Sequence, residues 1–204
     1  MIWSKQLKIQ VILGSTRPGR VVERVGKWVA DSAEQVDEFE VEVVDLADYS
    51  LPFFDEAISP RYNPNRTINP AATKWLAKLS EADGYIFITP EYNHSITGVL
   101  KNALDYVTYE LAKKPVAVVS YGSVGGARAA EHLKAILIES KAAIVPEAVT
   151  LIGQVTQILS EDGVLDADLA KNLYGPAGAI AQTLSELAWW TQTLKAGREE
   201  LALA

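Results

Sequence analysis

Arg17, Arg20 and Arg24 fall within eight residues in the stretch LGSTRPGRVVERV, Leu13 to Val25. Gly14 and Gly19 bracket two hydroxyl side chains, Ser15 and Thr16, and an amphipathic run begins just beyond. Guanidinium groups, hydroxyls and the free N–H groups of a helix start together suit an anion such as phosphate. The helix dipole behind them adds to the attraction. The chain as a whole does not, because 26 acids stand against 19 bases for a formal charge of -7. No long-range field draws nucleic acid or anionic lipid, so any anion site is local. The plainer reading is a helix start with Pro18 nearby and surface arginines.

Several chemistries fail at this turn. Gly14 and Gly19 have the spacing of G-x-x-x-x-G-K-[ST], but Arg20 and Val21 stand where Lys and Ser/Thr belong, and nothing there would ligate Mg²⁺. A G-x-G-x-x-G fingerprint fails at Thr16. An acidic receiver pocket would not carry Gly14 and Ser15. The chain has no cysteine, which removes a thiolate phosphatase, disulfides, Cys-ligated zinc and iron–sulfur clusters. His94 and His132 lack metal-ligand spacing, and no metal site is expected. What remains is a monophosphate held without metal, which suits FMN.

The elements must place this turn. LKIQVIL (7–13) reads as a buried strand. A helix follows from about Val21 to Val36, with Val22, Val25, Val29, Ala33 and Val36 spaced for one buried face. FEVEVVDL (39–46) is a second strand, and 47–66 reads as a loop broken by Pro52, Pro60 and Pro64. NPAATKWLAKLSEA is a helix with Asn69 as N-cap and Pro70 at its first position. GYIFIT (84–89) is a third strand ending at Pro90, followed by EYNHSITG and a helix from about Val99. PVAVVS (115–120) is a fourth strand, YGSVGG a turn, and a helix runs through Ala130, Leu133 and Leu137. A fifth strand lies within 142–152, interrupted by Pro146. GQVTQILSEDGVLD (153–166) reads as a polar surface excursion. A last helix is expected over about 166–198, with Ile180, Leu184, Leu187, Ala188 and Leu194 on one face.

Alternating strands and helices imply a doubly wound α/β fold, a parallel sheet covered on both faces. Its β-to-α turns share one edge, where ligands bind. The unusual residues fall in three of them: 14–20, 90–97 and 121–126. The length of 204 residues suits one domain, 1–204. MIWSKQLKIQVILG has no cationic region leading into an apolar segment and cleavage site, so no signal peptide is expected. No apolar run approaches the roughly 20 residues of a membrane span. A cytoplasmic protein without membrane or nucleic-acid partners is the expectation.

In their order and spacing, GSTRPGR, PEYNHSITGVLKNALDY and SYGSVGGARAAEHL resemble the NADPH-dependent FMN reductase family over roughly residues 7–150. That flavodoxin-like group includes azo, quinone and chromate reductases. The resemblance implies a five-stranded parallel sheet in the order 2-1-3-4-5, tightly bound FMN, and NAD(P)H as co-substrate. Hydride would pass from nicotinamide to FMN, then to a quinone, azo compound, free flavin or metal ion. A flavin-binding electron carrier or regulatory partner is the alternative. Ser15, Arg17 and the backbone through Val22 would hold the phosphate, with Arg20 helping. Pro90, Glu91, Tyr92 and Asn93 would flank the ring, and Tyr121 and Gly122 would line its other edge. Gly125 and Gly126 would allow close backbone approach. No side chain is expected as catalytic acid or base. Family members resemble dimers or tetramers, so a homodimer or homotetramer is expected, with Phe53, Phe54 and Tyr62 at a substrate pocket or subunit contact. Thr97 stands where the family usually has proline, which suggests a slightly relaxed loop. Arg128 is a candidate for a nucleotide 2′-phosphate, with surface solvation the simpler role.

Overall fold

Branched apolar residues dominate the strands, and alternate side chains go to opposite faces. Ile9, Val11, Leu13, Ile86, Ile88, Ala117 and Val119 pack on one side; Ile12, Tyr85, Phe87, Val116 and Val118 pack on the other. The computed structural model describes residues 6–63, 65–172 and 174–202. Pro64 and the first five residues of the leader reading lie outside them.

Five strands, β1 (Leu7–Leu13), β2 (Phe39–Asp45), β3 (Gly84–Pro90), β4 (Pro115–Gly122) and β5 (Ala143–Ile152), form one parallel sheet in the order β2-β1-β3-β4-β5. Helix α1 (Val22–Ala33) and the long C-terminal helix cover the first face; α2 (Pro70–Ser80), α3 (Gly98–Asp105) and α4 (Ala127–Glu139) cover the second. Central β3 is buried along its whole length. Asn69 caps α2 by accepting from the Ala71 N–H, with Pro70 in the first turn, as expected.

Three expectations change. The helix expected over 166–198 is two helices, α6 (Ala167–Lys171) and α7 (Pro176–Ala202). Pro176 has no N–H to donate and its ring would press on the carbonyl four residues back, so one helix ends at Lys171 and the next begins at Pro176. The 153–166 stretch is not merely surface: it forms the short α5 (Val155–Ile158) and buries Val155, Ile158 and Leu159 against the first core. Around Pro146 the strand continues, but its pairing with β4 shifts between Val116 and Val118. This is the bulge that a missing N–H invites. Among the described residues no helix is long and apolar enough to cross a membrane.

Candidate functional site

Parallel strands leave β1, β3 and β4 at the same edge, and that brings the three turns together. In turn one the backbone is held from below. The Gly14 N–H donates to the Ile88 carbonyl at 2.9 Å, and a Cβ on Gly14 would run into that carbonyl. Beyond it, the N–H groups of Ser15, Thr16, Arg17 and Gly19 donate to no acceptor among the described residues. No side chain caps α1, whose N-cap is Val21. The first helical N–H groups from buried Val22 onward are therefore also open. Ser15 is 1% exposed, and its hydroxyl lies 3.2 Å from the Tyr92 hydroxyl.

The three arginines have separate roles. Arg20 places four N–H groups on protein acceptors: a two-point contact with Asp45, one with Glu23 and one with the Ser15 carbonyl. It ties α1 to the end of β2, with four of its N–H groups spent on protein acceptors. Arg24 reaches the Leu159 carbonyl and Glu161, and so anchors the 153–166 stretch. Arg17 is exposed and has no ion pair among the described residues; its guanidinium sits 5.8 Å from the centre of the Tyr92 ring. Unspent backbone donors, a buried hydroxyl and one unpaired cation are a donor set that fits a phosphate group.

Turn two is a tight reversal. Asn93 and His94 have φ of 50° and 69°, and Tyr92 and Ser95 exchange backbone hydrogen bonds around them. Two positive φ values in the middle mark the primed turn that suits asparagine. The Tyr92 N–H is spent on Ser95, while those of Asn93 and His94 donate to no acceptor among the described residues. Pro90 is the last residue of β3 and pairs with Tyr121. The Glu91 carboxylate accepts from the Arg128 backbone N–H at 3.2 Å and its Nε at 2.6 Å. Those bonds hold the Glu91 carboxyl below its usual range. Arg128 is thereby joined to turn two.

Thr97 is the residue whose role sequence reasoning missed. Its hydroxyl donates to the Gly14 carbonyl at 2.6 Å and accepts from the Leu100 N–H at 3.1 Å. It caps α3 and ties turn one to turn two, where a relaxed loop was expected. A threonine just before a helical run is a capping signal that could have been read.

In turn three Gly126 has φ of 71°, and a Cβ there would come within 2.8 Å of the Tyr121 nitrogen. The Ser120 hydroxyl fixes the turn through the Gly125 carbonyl. The Ser123 and Val124 N–H groups donate to no acceptor among the described residues. Burial pushes the Tyr121 phenol well above its usual range, so it stays protonated.

Beside turns one and two lies a cleft of about 350 Å³. One wall is Ser15, Thr16, Arg17 and Tyr92; the other is Leu51, Phe53, Val99 and Asn102. Phe53 was a candidate for this position, whereas Leu51, Val99 and Asn102 had no sequence signal. Phe54 instead folds back, edge-on to Tyr106 at 5.3 Å.

Comparison with known proteins extends this geometry. The family described as NADPH-dependent FMN reductase matches residues 7–157. A Nectria protein named NAD(P)H-dependent FMN reductase ntnL is 36% identical over 200 residues, covering 94% of this chain and 99% of the relative. A Bacillus NADPH azoreductase is 34% identical over 165 residues, covering 79% and 84%. The structure of FerB, a flavoenzyme NAD(P)H:(acceptor) oxidoreductase from Paracoccus denitrificans, has a TM-score of 0.70 at 22% identity, over 91% of this chain and 98% of that one. The chain thus belongs to the NADPH-dependent FMN reductase family, flavodoxin-like oxidoreductases that work with FMN and NAD(P)H.

Proposed function

We propose that residues 1–204 are a single-domain, FMN-dependent NAD(P)H oxidoreductase whose acceptor is a small molecule: a quinone, an azo compound, free flavin or an oxidised metal ion. The observation that carries this reading is turn one, where open N–H groups, buried Ser15 and unpaired Arg17 converge beside a cleft. Bound FMN supplies the hydride chemistry. The chain's own residues bind and orient. The open N–H groups of Ser15, Thr16, Arg17, Gly19 and Val22, the Ser15 hydroxyl and Arg17 hold the phosphate, and Arg20 braces that turn through Asp45. Pro90 to Asn93 flank the ring, with Glu91 fixed by Arg128. Tyr121, Gly122, Gly125 and Gly126 border its other side. The open Ser123 and Val124 N–H groups are donors for negative charge that grows on a reduced ring.

A homodimer or homotetramer in the cytoplasm completes the reading. Its support is the exposure of large apolar side chains at Tyr62, Tyr109 and Ile138. Light scattering that returns a monomer counts against it. The deciding experiment is the absorbance of the purified protein, then anaerobic NADPH. A yellow protein that bleaches is expected. A colourless protein that cannot be reconstituted with FMN overturns the reading. Bound flavin that stays oxidised leaves an electron carrier.

A further inference from the structure

Glu91 and Ser95 stand at the two ends of turn two, and one helix holds both. The Glu91 carboxylate accepts from the Arg128 backbone N–H at 3.2 Å and from its Nε at 2.6 Å. The Ser95 hydroxyl is hydrogen-bonded to Nδ1 of His132 at 2.8 Å. Arg128 and His132 are four residues apart on α4, so their side chains share one helix face, one turn apart. The grip runs both ways. Gly126, the N-cap of α4, has no side chain with which to cap it, and Glu91 serves the Arg128 N–H from outside the helix.

Between the two grips lies a backbone that needs holding. Asn93 and His94 are in the left-handed region, at φ of 50° and 69°. Residues with a side chain populate that region sparsely, and it persists where surrounding contacts over-determine it. Inside the turn, Tyr92 and Ser95 exchange two backbone bonds. Outside it, the Glu91 and Ser95 side chains bond to α4 alone among the described residues. The N–H groups of Asn93 and His94 donate to no acceptor among the described residues, and their direction follows from this reversal. His132 makes no hydrogen bond to the phosphate turn among the described residues.

We infer that His132 is a positioning residue for the flavin ring: with Arg128 it fixes the two ends of turn two from α4, and so sets where the Asn93 and His94 N–H groups point. The inference rests on the FMN-dependent reading and adds to it a residue that acts through Ser95 rather than on the flavin itself.

The test starts from the purified holoenzyme. Its flavin is dialysed away, and FMN or riboflavin is titrated back while fluorescence quenching is followed. His132→Ala is expected to weaken both flavins by the same factor, about fivefold, the scale of one net hydrogen bond. The losses match because the ring, common to both ligands, is what turn two meets. The visible circular dichroism of the bound flavin, which reports how the ring sits among its neighbours, changes with them. His132→Asn, whose amide sets a donor or an acceptor where Nδ1 stands, restores affinity and spectrum. Ser95→Ala gives the same loss as His132→Ala, and the double variant loses no more than either alone, since one bond joins the pair. Unchanged riboflavin affinity in His132→Ala overturns the inference, whatever happens to FMN. So do losses that multiply in the double variant, and an Asn variant that stays as weak as the Ala one. A loss that tracks the apoprotein's melting temperature and leaves the dichroism of bound flavin unaltered also overturns it, since the bond would then only stabilise the fold. A wild-type protein that holds no flavin and cannot be refilled is a different result: it removes the FMN reading, and this inference with it.

Discussion

The two edges of the sheet differ in how completely they pair their polar groups. At the edge where the strands begin, almost every ion has a partner. Lys8 and Lys78 share Glu42 and Glu81, and Asp83 accepts from Lys195 at 2.6 Å and from the Lys8 backbone N–H at 3.0 Å. The bonds from Lys8 and Lys78 hold the Glu81 carboxyl down at about 2. At the edge where the strands end, Arg20 and Arg128 are paired with Asp45 and Glu91, but Arg17 has only the face of Tyr92 among the described residues, and the turns leave backbone donors open. Positive φ values gather there, at Gly19, Asn93, His94, Gly125 and Gly126. One edge closes the fold electrostatically; the other stores unspent donors, as a site for an anion must.

Substituting one residue at each edge should separate the two. Arg17→Ala is expected to weaken FMN binding by about 1.5–3 kcal/mol, the worth of a charged hydrogen bond. The apoprotein's melting temperature should stay put, because Arg17 is exposed and without an ion pair among the described residues. Flavin fluorescence quenching and a thermal scan read the two. Unchanged affinity would place the phosphate elsewhere.

Asp83→Asn should do the reverse. It leaves Lys195 and Arg198 short of a counter-ion at side chains that are mostly covered. A loss of about 1–2 kcal/mol of unfolding free energy is expected in urea, with FMN affinity retained. A fall in affinity as large as that of Arg17→Ala would erase the distinction between the edges.

Thr97 sharpens the comparison inside the open edge. Thr97→Val keeps the shape but loses the hydrogen bond to Gly14 and the cap of α3, at a cost of about 1 kcal/mol. If the clasp positions the phosphate turn, FMN binding should weaken more than riboflavin binding, since riboflavin has no phosphate. Thr97→Ser should restore both. Equal losses for the two flavins would make Thr97 a structural cap only.

Much of this was legible in advance where local chemistry decides. The apolar strand runs, Asn69 with Pro70, and the grouping of three turns on one edge all follow from short-range pattern. Partner choice did not. Glu23, three residues on, is one partner of Arg20, but the acid that takes its two-point contact, Asp45, lies 25 residues on at the end of a neighbouring strand. Val155, Ile158 and Leu159 sit in a stretch whose polar neighbours hide a buried face. Phe53 and Phe54 are adjacent and chemically identical, and contacts from distant Asn102 and Tyr106 leave one out and turn the other in. These outcomes are set by tertiary contacts across many residues, which periodicity does not encode.

The smallest expected effect tests the closed edge where its pairing is least complete. The Lys114 ammonium donates to the Ser80 carbonyl at 3.1 Å and the Tyr85 hydroxyl at 3.2 Å, close to the last turn of α2. Burial, reinforced by the positive charge of Arg198 and opposed by Asp83 and Glu110, lowers its pKa to about 8. The unfolded chain holds that proton up to about 10.4. Between those values the unfolded state binds more protons than the folded one, so stability should rise with pH from about 8 to 10. Partial exposure screens the gain to about 1 kcal/mol. Above about 10 the unfolded chain's tyrosines ionise while buried Tyr85 and Tyr121 resist, and the gain reverses. Urea midpoints across this range should therefore climb and then fall. Lys114→Met should lose the climb and keep the fall. A flat wild-type profile would mean that the counter-ions of this edge satisfy Lys114 fully, and that its pairing has no gap.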